Sequence, residues 1–358
     1  MNLGPFDQRI KAFAHRGHLL KLAAGELPAP VSVKIELTNV CNHDCHFCAY
    51  RRIVQEPRIT DRLEQSRVLE LVDELAAGGV KGLMFTGGGE PLLHPGCEAI
   101  FERCRARGIE HALITNGTRL GRISDEAIGN MRWIRFSINA GSPEAYQRVH
   151  GAPRADWDRA WESVARAGDK GRHPQLTVGV SFVVTSWNQD GVSEAAGRAR
   201  EAGADYIHVR PAFEGPHSQI DRQLTPSESD ARIRELEQLA ALETARFRVY
   251  GVRRRFEELE GVDRSTIHCR TTPLVSYVLP TGDLSLCTLV RDASFNPAVP
   301  DPFLGNMYKA RFFELWGNAR HRSLIAALSK SGCNRCHFAE YNRVLAEVEE
   351  DAHHASFL

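Results

Sequence analysis

Three cysteines, Cys41, Cys45 and Cys48, stand in the stretch Leu37-Thr38-Asn39-Val40-Cys41-Asn42-His43-Asp44-Cys45-His46-Phe47-Cys48, directly after the apolar run Val31 to Leu37. Three thiolates on one short loop, with three and then two residues between them, can hold three irons of a [4Fe–4S] cube. The fourth iron stays open. Cluster proteins that only carry electrons usually supply four cysteines, so a loop that stops at three requires something else on the last iron. Zinc is the competing reading, but a structural zinc site takes four ligands, and none of the nearby histidines adds a ribbon spacing.

A second group lies towards the C-terminus. Cys269 is followed after 12 residues by Gly282, after four more by Cys287, and much later by Cys333-Asn334-Arg335-Cys336. Four thiolates are a full set for one cluster, and by spacing alone they suit a structural four-cysteine zinc site equally well. The two remaining cysteines, Cys97 and Cys104, fall with Ile100 and Phe101 at i, i+3, i+4 and i+7 of a helical pattern. That is a buried face, and an unbridged Cys commonly serves as a small core residue.

Donors on loops need a scaffold to hold them. The 358 residues suffice for one large or two moderate domains. Lys plus Arg equals Asp plus Glu at 45 each, so no net field draws the chain to nucleic acid or an anionic membrane. No run approaches the roughly 18 apolar residues of a membrane span, and the N-terminus lacks the layout of a secretion signal. A reducing, cytoplasmic location is therefore expected, where nine cysteines point to metals or catalysis before disulfides.

Apolar, β-rich runs alternate with helical patterns, as expected of an α/β chain with a parallel sheet. Six strands are predicted, near Val31–Leu37, Lys81–Thr86, His111–Thr115, Trp133–Asn139, Leu176–Val184 and Tyr206–Arg210. Helices are predicted over Glu64–Ala77, over Ala155–Ala167 with Trp157 and Trp161 on the core face, and from Pro226 to Ala245 with Thr225 as N-cap. After the second predicted strand comes Thr86-Gly87-Gly88-Gly89-Glu90-Pro91, where residues without side chains let backbone approach a ligand. The third strand ends in Thr115-Asn116-Gly117 and the fourth in Ser137-Ile138-Asn139, and alternation places Ser137 and Asn139 on one face. His208 and Arg210 are likewise cofacial on the sixth.

The CxxxCxxC pattern, with aromatic Phe47 before its last Cys, resembles the signature of the radical S-adenosylmethionine (radical SAM) family. In that family the amino and carboxylate groups of SAM chelate the open iron. The resemblance implies a partial (βα)6 TIM-like barrel, with the chemistry at the C-terminal ends of its strands. It implies that Gly88, Gly89 and Glu90 bind the methionyl amino group, and that Asn116, Ser137 and Asn139 contact SAM. It also implies one-electron cleavage of SAM to a 5′-deoxyadenosyl radical that abstracts hydrogen from a substrate, fed by a flavodoxin- or ferredoxin-type donor.

The Cys269, Gly282, Cys287 pattern is similar to the opening of the SPASM auxiliary-cluster domain. No Cys follows Cys336, so the truncated set resembles the single-cluster twitch domain, with Cys269, Cys287, Cys333 and Cys336 as ligands of a second [4Fe–4S] cluster. The arrangement is similar to aminocyclitol dehydrogenases of the 2-deoxy-scyllo-inosamine type. It implies oxidation of a carbinol on a sugar or aminocyclitol in antibiotic biosynthesis, with His208, Arg210 and, less directly, Glu214 handling the hydroxyl. A peptide-modifying enzyme acting on a short peptide, or a redox-neutral epimerase or dehydratase, is the alternative. An epimerase needs a hydrogen donor, commonly a Cys, and no spare thiol stands at a strand end. The expected division is an N-terminal extension at 1–30, the barrel at 31–250, the twitch-like domain at 251–345 and a tail at 346–358.

Overall fold

The computed structural model describes residues 10–11, 14–50, 60–212, 219–251, 269–287, 299, 301–330, 336 and 338–350. They fall into two compact units. The larger comprises Ile35–Val72 and Leu83–Val262; the smaller comprises Met1–Lys34, Asp73–Gly82 and Asp263–Leu358.

The six predicted strands form as β1 (Ser32–Ile35), β2 (Gly82–Phe85), β3 (Glu110–Thr115), β4 (Trp133–Ser137), β5 (Thr177–Val184) and β6 (Tyr206–Pro211), and a seventh, β7 (Arg248–Gly251), follows. Strands β2 to β7 lie side by side in chain order, and β3 to β7 pair in parallel. Helices Cys97–Ala106, Ala155–Gly168, Val192–Glu201 and Pro226–Leu239 return the chain between successive strands. This is the mixed α/β, partial-barrel pattern that the sequence predicts. Strand β7 escapes a sequence reading because Arg-Val-Tyr-Gly is short and carries a single aliphatic residue.

The helices form where the apolar spacing puts them. Ala155–Gly168 buries Trp157, Ala160, Trp161 and Val164, and the Arg198 guanidinium lies 5.0 and 5.2 Å from the two indole centroids. The tryptophans are core, as expected. Cys97 and Cys104 are buried beside Ile100 and Phe101. At Thr225 the capping box is complete: the Glu228 amide donates to the Thr225 hydroxyl, and the Thr225 amide donates to the Glu228 carboxylate at 2.8 Å. That helix stops at Leu239, followed by a single tight turn over Ala240–Leu242. The expectation of helix to Ala245 is corrected, because the Glu243 carboxylate takes the Val249 amide at 3.0 Å and so starts the approach to β7.

Which face of the sheet meets the helices follows from Phe136 on β4. A Cβ added at Gly117 would lie 2.9 Å from the Phe136 ring and 3.5 Å from Ala160, so Phe136 faces the helix layer. By alternation Arg135 and Ser137 point to the opposite, concave face.

In the smaller unit, β8 (Val275–Val278), β9 (Asp283–Ser285) and β10 (Phe303–Asn306) form an antiparallel meander. Gly282 sits in the β8–β9 turn at φ 86°, and a Cβ there would run into the Tyr308 ring at 2.5 Å. Left-handed backbone and close contact together demand glycine. Leu274, Tyr341, Val344 and Leu345 make a small core, against which Leu19, Leu22 and Val31 pack. The helix Arg16–Ala23 of the N-terminal segment is thereby accounted for.

Candidate functional site

The cysteine loop leaves β1 without regular structure and is fastened from several sides. The Thr38 hydroxyl accepts the Val40 amide at 3.0 Å and donates to the Asp61 carbonyl at 3.1 Å. The Asp44 amide donates to the His150 carbonyl at 2.8 Å, and the His46 amide to the Val149 carbonyl at 3.2 Å, so the loop hangs on the last turn of helix Pro143–His150. Gly151 ends that helix at φ 54°, where a Cβ would lie 2.6 Å from the Asp44 carbonyl oxygen. The His46 ring stacks on Trp187, which follows β5, at 4.0 Å and 16°.

None of the three cysteines is in a disulfide among the described residues. Burial pushes the Cys41 thiol up to about 12, so without a metal it stays protonated. A thiolate there needs a cation beside it. The Tyr50 amide points at Cys48 Sγ at 3.4 Å, a contact that favours the anionic sulfur.

The glycine turn presses against this loop. A Cβ on Gly87 would meet the Glu36 side chain at 2.3 Å, and one on Gly89 would meet the Val40 and Thr38 carbonyl oxygens at 2.4 and 2.5 Å. Glu36, missed in the sequence reading, is 1% exposed, and its carboxylate accepts the Gly88 amide at 3.2 Å. The signal was an acid at the end of an apolar strand, immediately before the cysteine loop.

Glu90 is buried and accepts three hydrogen bonds. The Leu92 amide (3.0 Å) and the Thr115 hydroxyl (2.7 Å) donate to Oε1, and the Asn116 amide (2.8 Å) donates to Oε2. Burial raises this carboxyl above its ordinary range while the three donors pull it back. Its side chain thus ties the end of β2 to the end of β3. Asn116 carries the link onward, its side-chain Nδ2 donating to Asn42 Oδ1 in the cysteine loop at 3.0 Å.

Ser137 ends β4, but Asn139 departs from the expected alternation. Its φ is +51°, so the two residues no longer share a strand face. The Asn139 side-chain oxygen accepts the Val183 amide at 2.8 Å, and its carbonyl accepts from Asn188 Nδ2 at 2.8 Å. The left-handed turn locks the end of β4 to the loop after β5.

His208 stands in a row that only strand register reveals. Ser137 is paired with Ser181, Ser181 with His208 and His208 with Tyr250. Neighbours in a parallel ladder share a face, so the four polar side chains cross the concave face together. One step below, a Cβ on Gly179 would strike the Tyr206 ring at 2.1 Å, and the Tyr206 hydroxyl is hydrogen-bonded to Arg135. Arg210 stands one step above His208. Glu214 lies outside the described residues.

In the smaller unit two parts of the second cysteine set are linked by a residue the sequence reading did not single out. Asn342, 1% exposed, accepts the Arg270 amide at 2.9 Å and the Thr271 hydroxyl at 2.6 Å on Oδ1. Its Nδ2 donates to Cys336 Sγ at 3.5 Å, and the Phe338 amide donates to the same sulfur at 3.3 Å. Asn342 therefore links the segment beginning at Cys269 to Cys336. Cys287 ends the β9 segment, where its carbonyl accepts the Ser285 hydroxyl at 3.0 Å. Cys333 lies outside the described residues.

The family profile for the radical SAM superfamily matches residues 35–199, the segment that carries the cysteine loop, the glycine turn and β2 to β5. Residues 35–199 belong to the radical SAM superfamily. Among curated proteins, the chain is 27% identical over 185 residues to a probable GTP 3′,8-cyclase of Metallosphaera sedula, covering 49% of this chain and 54% of that protein. It is 22% identical over 220 residues to a dTDP-4-amino-4,6-dideoxy-D-glucose ammonia-lyase of Streptomyces venezuelae, covering 58% and 44%. The chain thus spans about half the length of the curated relatives it matches. Among solved structures, it resembles Streptococcus suis SuiB bound to S-adenosylmethionine with a TM-score of 0.66 at 15% identity, covering 86% of this chain and 70% of that one. It resembles anSMEcpe with bound AdoMet with a TM-score of 0.58 at 16% identity, covering 90% and 93%.

The superfamily implies a [4Fe–4S] cluster and SAM, and this radical SAM segment has the donors for them. Its three unbridged cysteines share one anchored loop, burial raises the Cys41 thiol so that a cation beside it would favour the thiolate, and the glycine backbone abuts the same loop.

Proposed function

We propose that this radical SAM enzyme oxidises a carbinol of a small, hydroxyl-rich substrate, of the sugar or aminocyclitol class. The observation that carries the reading is the concave row Ser137, Ser181, His208 and Tyr250 with Arg210 above it. Such a row offers hydroxyl, imidazole and guanidinium hydrogen bonds suited to a polyol.

In this reading Cys41, Cys45 and Cys48 hold the SAM-binding cluster, and the backbone of Gly88 and Gly89 with Asn116 and Ser137 receives SAM. When bound, cluster and SAM supply one-electron cleavage of SAM and abstraction of hydrogen from an unactivated C–H bond. Glu90 acts by holding the ends of β2 and β3 in place. Asn139 acts the same way between β4 and the loop after β5. His208 holds the substrate hydroxyl and accepts its proton, while Arg210 orients a neighbouring oxygen. Cys269, Cys287, Cys333 and Cys336 are assigned to a twitch-type auxiliary cluster with no open iron, suited to accepting an electron. A flavodoxin- or ferredoxin-type donor and a reducing compartment belong to this reading. Among the described residues, no helix is long and apolar enough to cross a membrane.

Redox-neutral elimination is the second reading, favoured by relatives named as a nucleotide dehydratase and a dTDP-sugar ammonia-lyase. The test is anaerobic reconstitution followed by iron, sulfide and 5′-deoxyadenosine analysis, with and without Cys269, Cys287, Cys333 and Cys336 replaced by Ala. About eight irons falling to about four, each set of four Cys or three Cys plus SAM holding one cube, supports the oxidative reading. About four irons in both, with zinc in the C-terminal set, refutes it in favour of redox-neutral chemistry.

A further inference from the structure

Two buried histidines flank Cys45, and the three-thiolate reading uses neither. His150 Nε2 lies 2.8 Å from the Ile138 carbonyl oxygen. That nitrogen therefore carries the ring proton, and the Nδ1 lone pair faces Cys45 Sγ at 3.1 Å. His43 is 5% exposed, and its Nε2 lies 3.3 Å from Asp156 Oδ2. Its Nδ1 is buried with no hydrogen-bond partner among the described residues. Asp156, also buried, is held in turn by Arg159 at 2.8 Å.

Each imidazole thus has one nitrogen fixed by an acceptor, a carboxylate for His43 and a backbone carbonyl for His150. The other nitrogen of His43 is left as a bare lone pair, and that of His150 takes the Cys45 S–H hydrogen bond that a metal–nitrogen bond would replace. Metal-ligating histidines are oriented in this way. One ligand atom from each of His43, Cys45 and His150 falls within 4.8 Å of the other two. Two nitrogens and one sulfur suit borderline divalent ions such as Fe2+, Co2+ and Zn2+.

We propose that His43, Cys45 and His150 form a mononuclear site for a divalent transition-metal ion, filled before the three cysteines of the loop take up a cluster. On binding, the Cys45 S–H bond breaks, the metal–sulfur bond forms and the proton leaves to solvent. No electron is transferred. Cys45 belongs to both sites, so an ion that exchanges slowly, such as Zn2+, blocks cluster loading, whereas Fe2+ leads into it.

The experiment uses full-length protein stripped of metal under anaerobic, reducing conditions and titrated with Co2+. One equivalent is expected to bind, with the sulfur-to-cobalt absorption of a single thiolate and the visible bands of a tetrahedral site. Cys41→Ser and Cys48→Ser are expected to keep this spectrum. His43→Ala and His150→Ala should weaken Co2+ binding at least tenfold. Asp156→Asn, which removes the carboxylate that orients His43 and pairs with Arg159, should weaken it about tenfold. Circular dichroism identifies any variant that fails to fold, and the thiolate absorption of the unsubstituted protein gives a readout that needs no variant. The proposal is overturned by absorption matching three thiolates, by loss of Co2+ in Cys41→Ser with no change in His43→Ala, or by no Co2+ binding to the folded apoprotein. The assignment of Cys41, Cys45 and Cys48 to the cluster is judged separately, by the iron and sulfide content above.

Discussion

Replacing Glu90 tests whether its carboxylate acts as a tie between strand ends. In Glu90→Ala the Leu92 amide, the Thr115 hydroxyl and the Asn116 amide lose their acceptor in a site where Glu90 is 3% exposed. A buried donor left unpaired costs about 1–3 kcal/mol. The Thr115 hydroxyl can rotate to another acceptor and the vacated space permits some relaxation, so a loss of about 3–5 kcal/mol is expected, the scale of breaking a buried polar network. Against a total stability of about 5–15 kcal/mol, that is a large fraction. Glu90→Gln keeps one acceptor oxygen but turns an N–H2 towards a donor, so about 1–3 kcal/mol is expected. The assay is urea unfolding of the metal-free protein, followed by circular dichroism under anaerobic conditions, with SAM binding of the reconstituted protein measured by equilibrium dialysis. Stability should fall in the order unsubstituted, Gln, Ala, with SAM binding weakened in the same order. A Glu90→Ala protein within about 1 kcal/mol of the parent by that assay, binding SAM normally, would refute the tie.

Gly89→Ala places a Cβ against the Val40 and Thr38 carbonyl oxygens, where neither backbone can yield without moving the cysteine loop. Iron content after reconstitution should drop well below the parent value, and an unchanged content would contradict the close approach. Asn342→Ala strands the Arg270 amide and removes a donor to Cys336 Sγ. Metal in the C-terminal set should become labile to chelator while the N-terminal set keeps its metal. Burial lowers His111 from 6.5 to about 4. Below pH 6.5 the unfolded chain then binds a proton that the folded chain refuses, so stability is lost as pH falls from about 6.5 to 4, by at most about 3 kcal/mol. His111→Phe, which keeps a ring beside Phe101, should flatten that part of the pH profile; an unchanged slope would show that other groups set it.

Much of the scaffold was legible because its signals are local. Trp157 and Trp161 lie on one helix face because a helix repeats every 3.6 residues, and Thr225 with Glu228 forms a capping box within four residues. The helix beyond Leu239 was overextended because Glu243 turns the chain towards Val249, a partner outside the helix. Asn139 was placed with Ser137 by an alternation that the positive φ interrupts. Glu90 was singled out by its type and its place after the glycine turn, while its bonds to Thr115 and Asn116 at the end of the next strand became visible only in the structure.

The sequence by itself determined that three thiols share one loop, that a glycine turn with an acid follows the second strand, and that helices alternate with strands. Each of these depends on spacing along the chain, which covalent geometry and helix or strand periods convert directly into position. Only the tertiary structure decided that Ser137, Ser181, His208 and Tyr250 form a single row. It alone brought Glu36 to Gly88, His150 to Cys45, and Asn342 to both Arg270 and Cys336. Those meetings are fixed by strand register and by packing between distant segments. A shift of one residue in register would turn the whole row to the other face, and no local period records which register the sheet adopts.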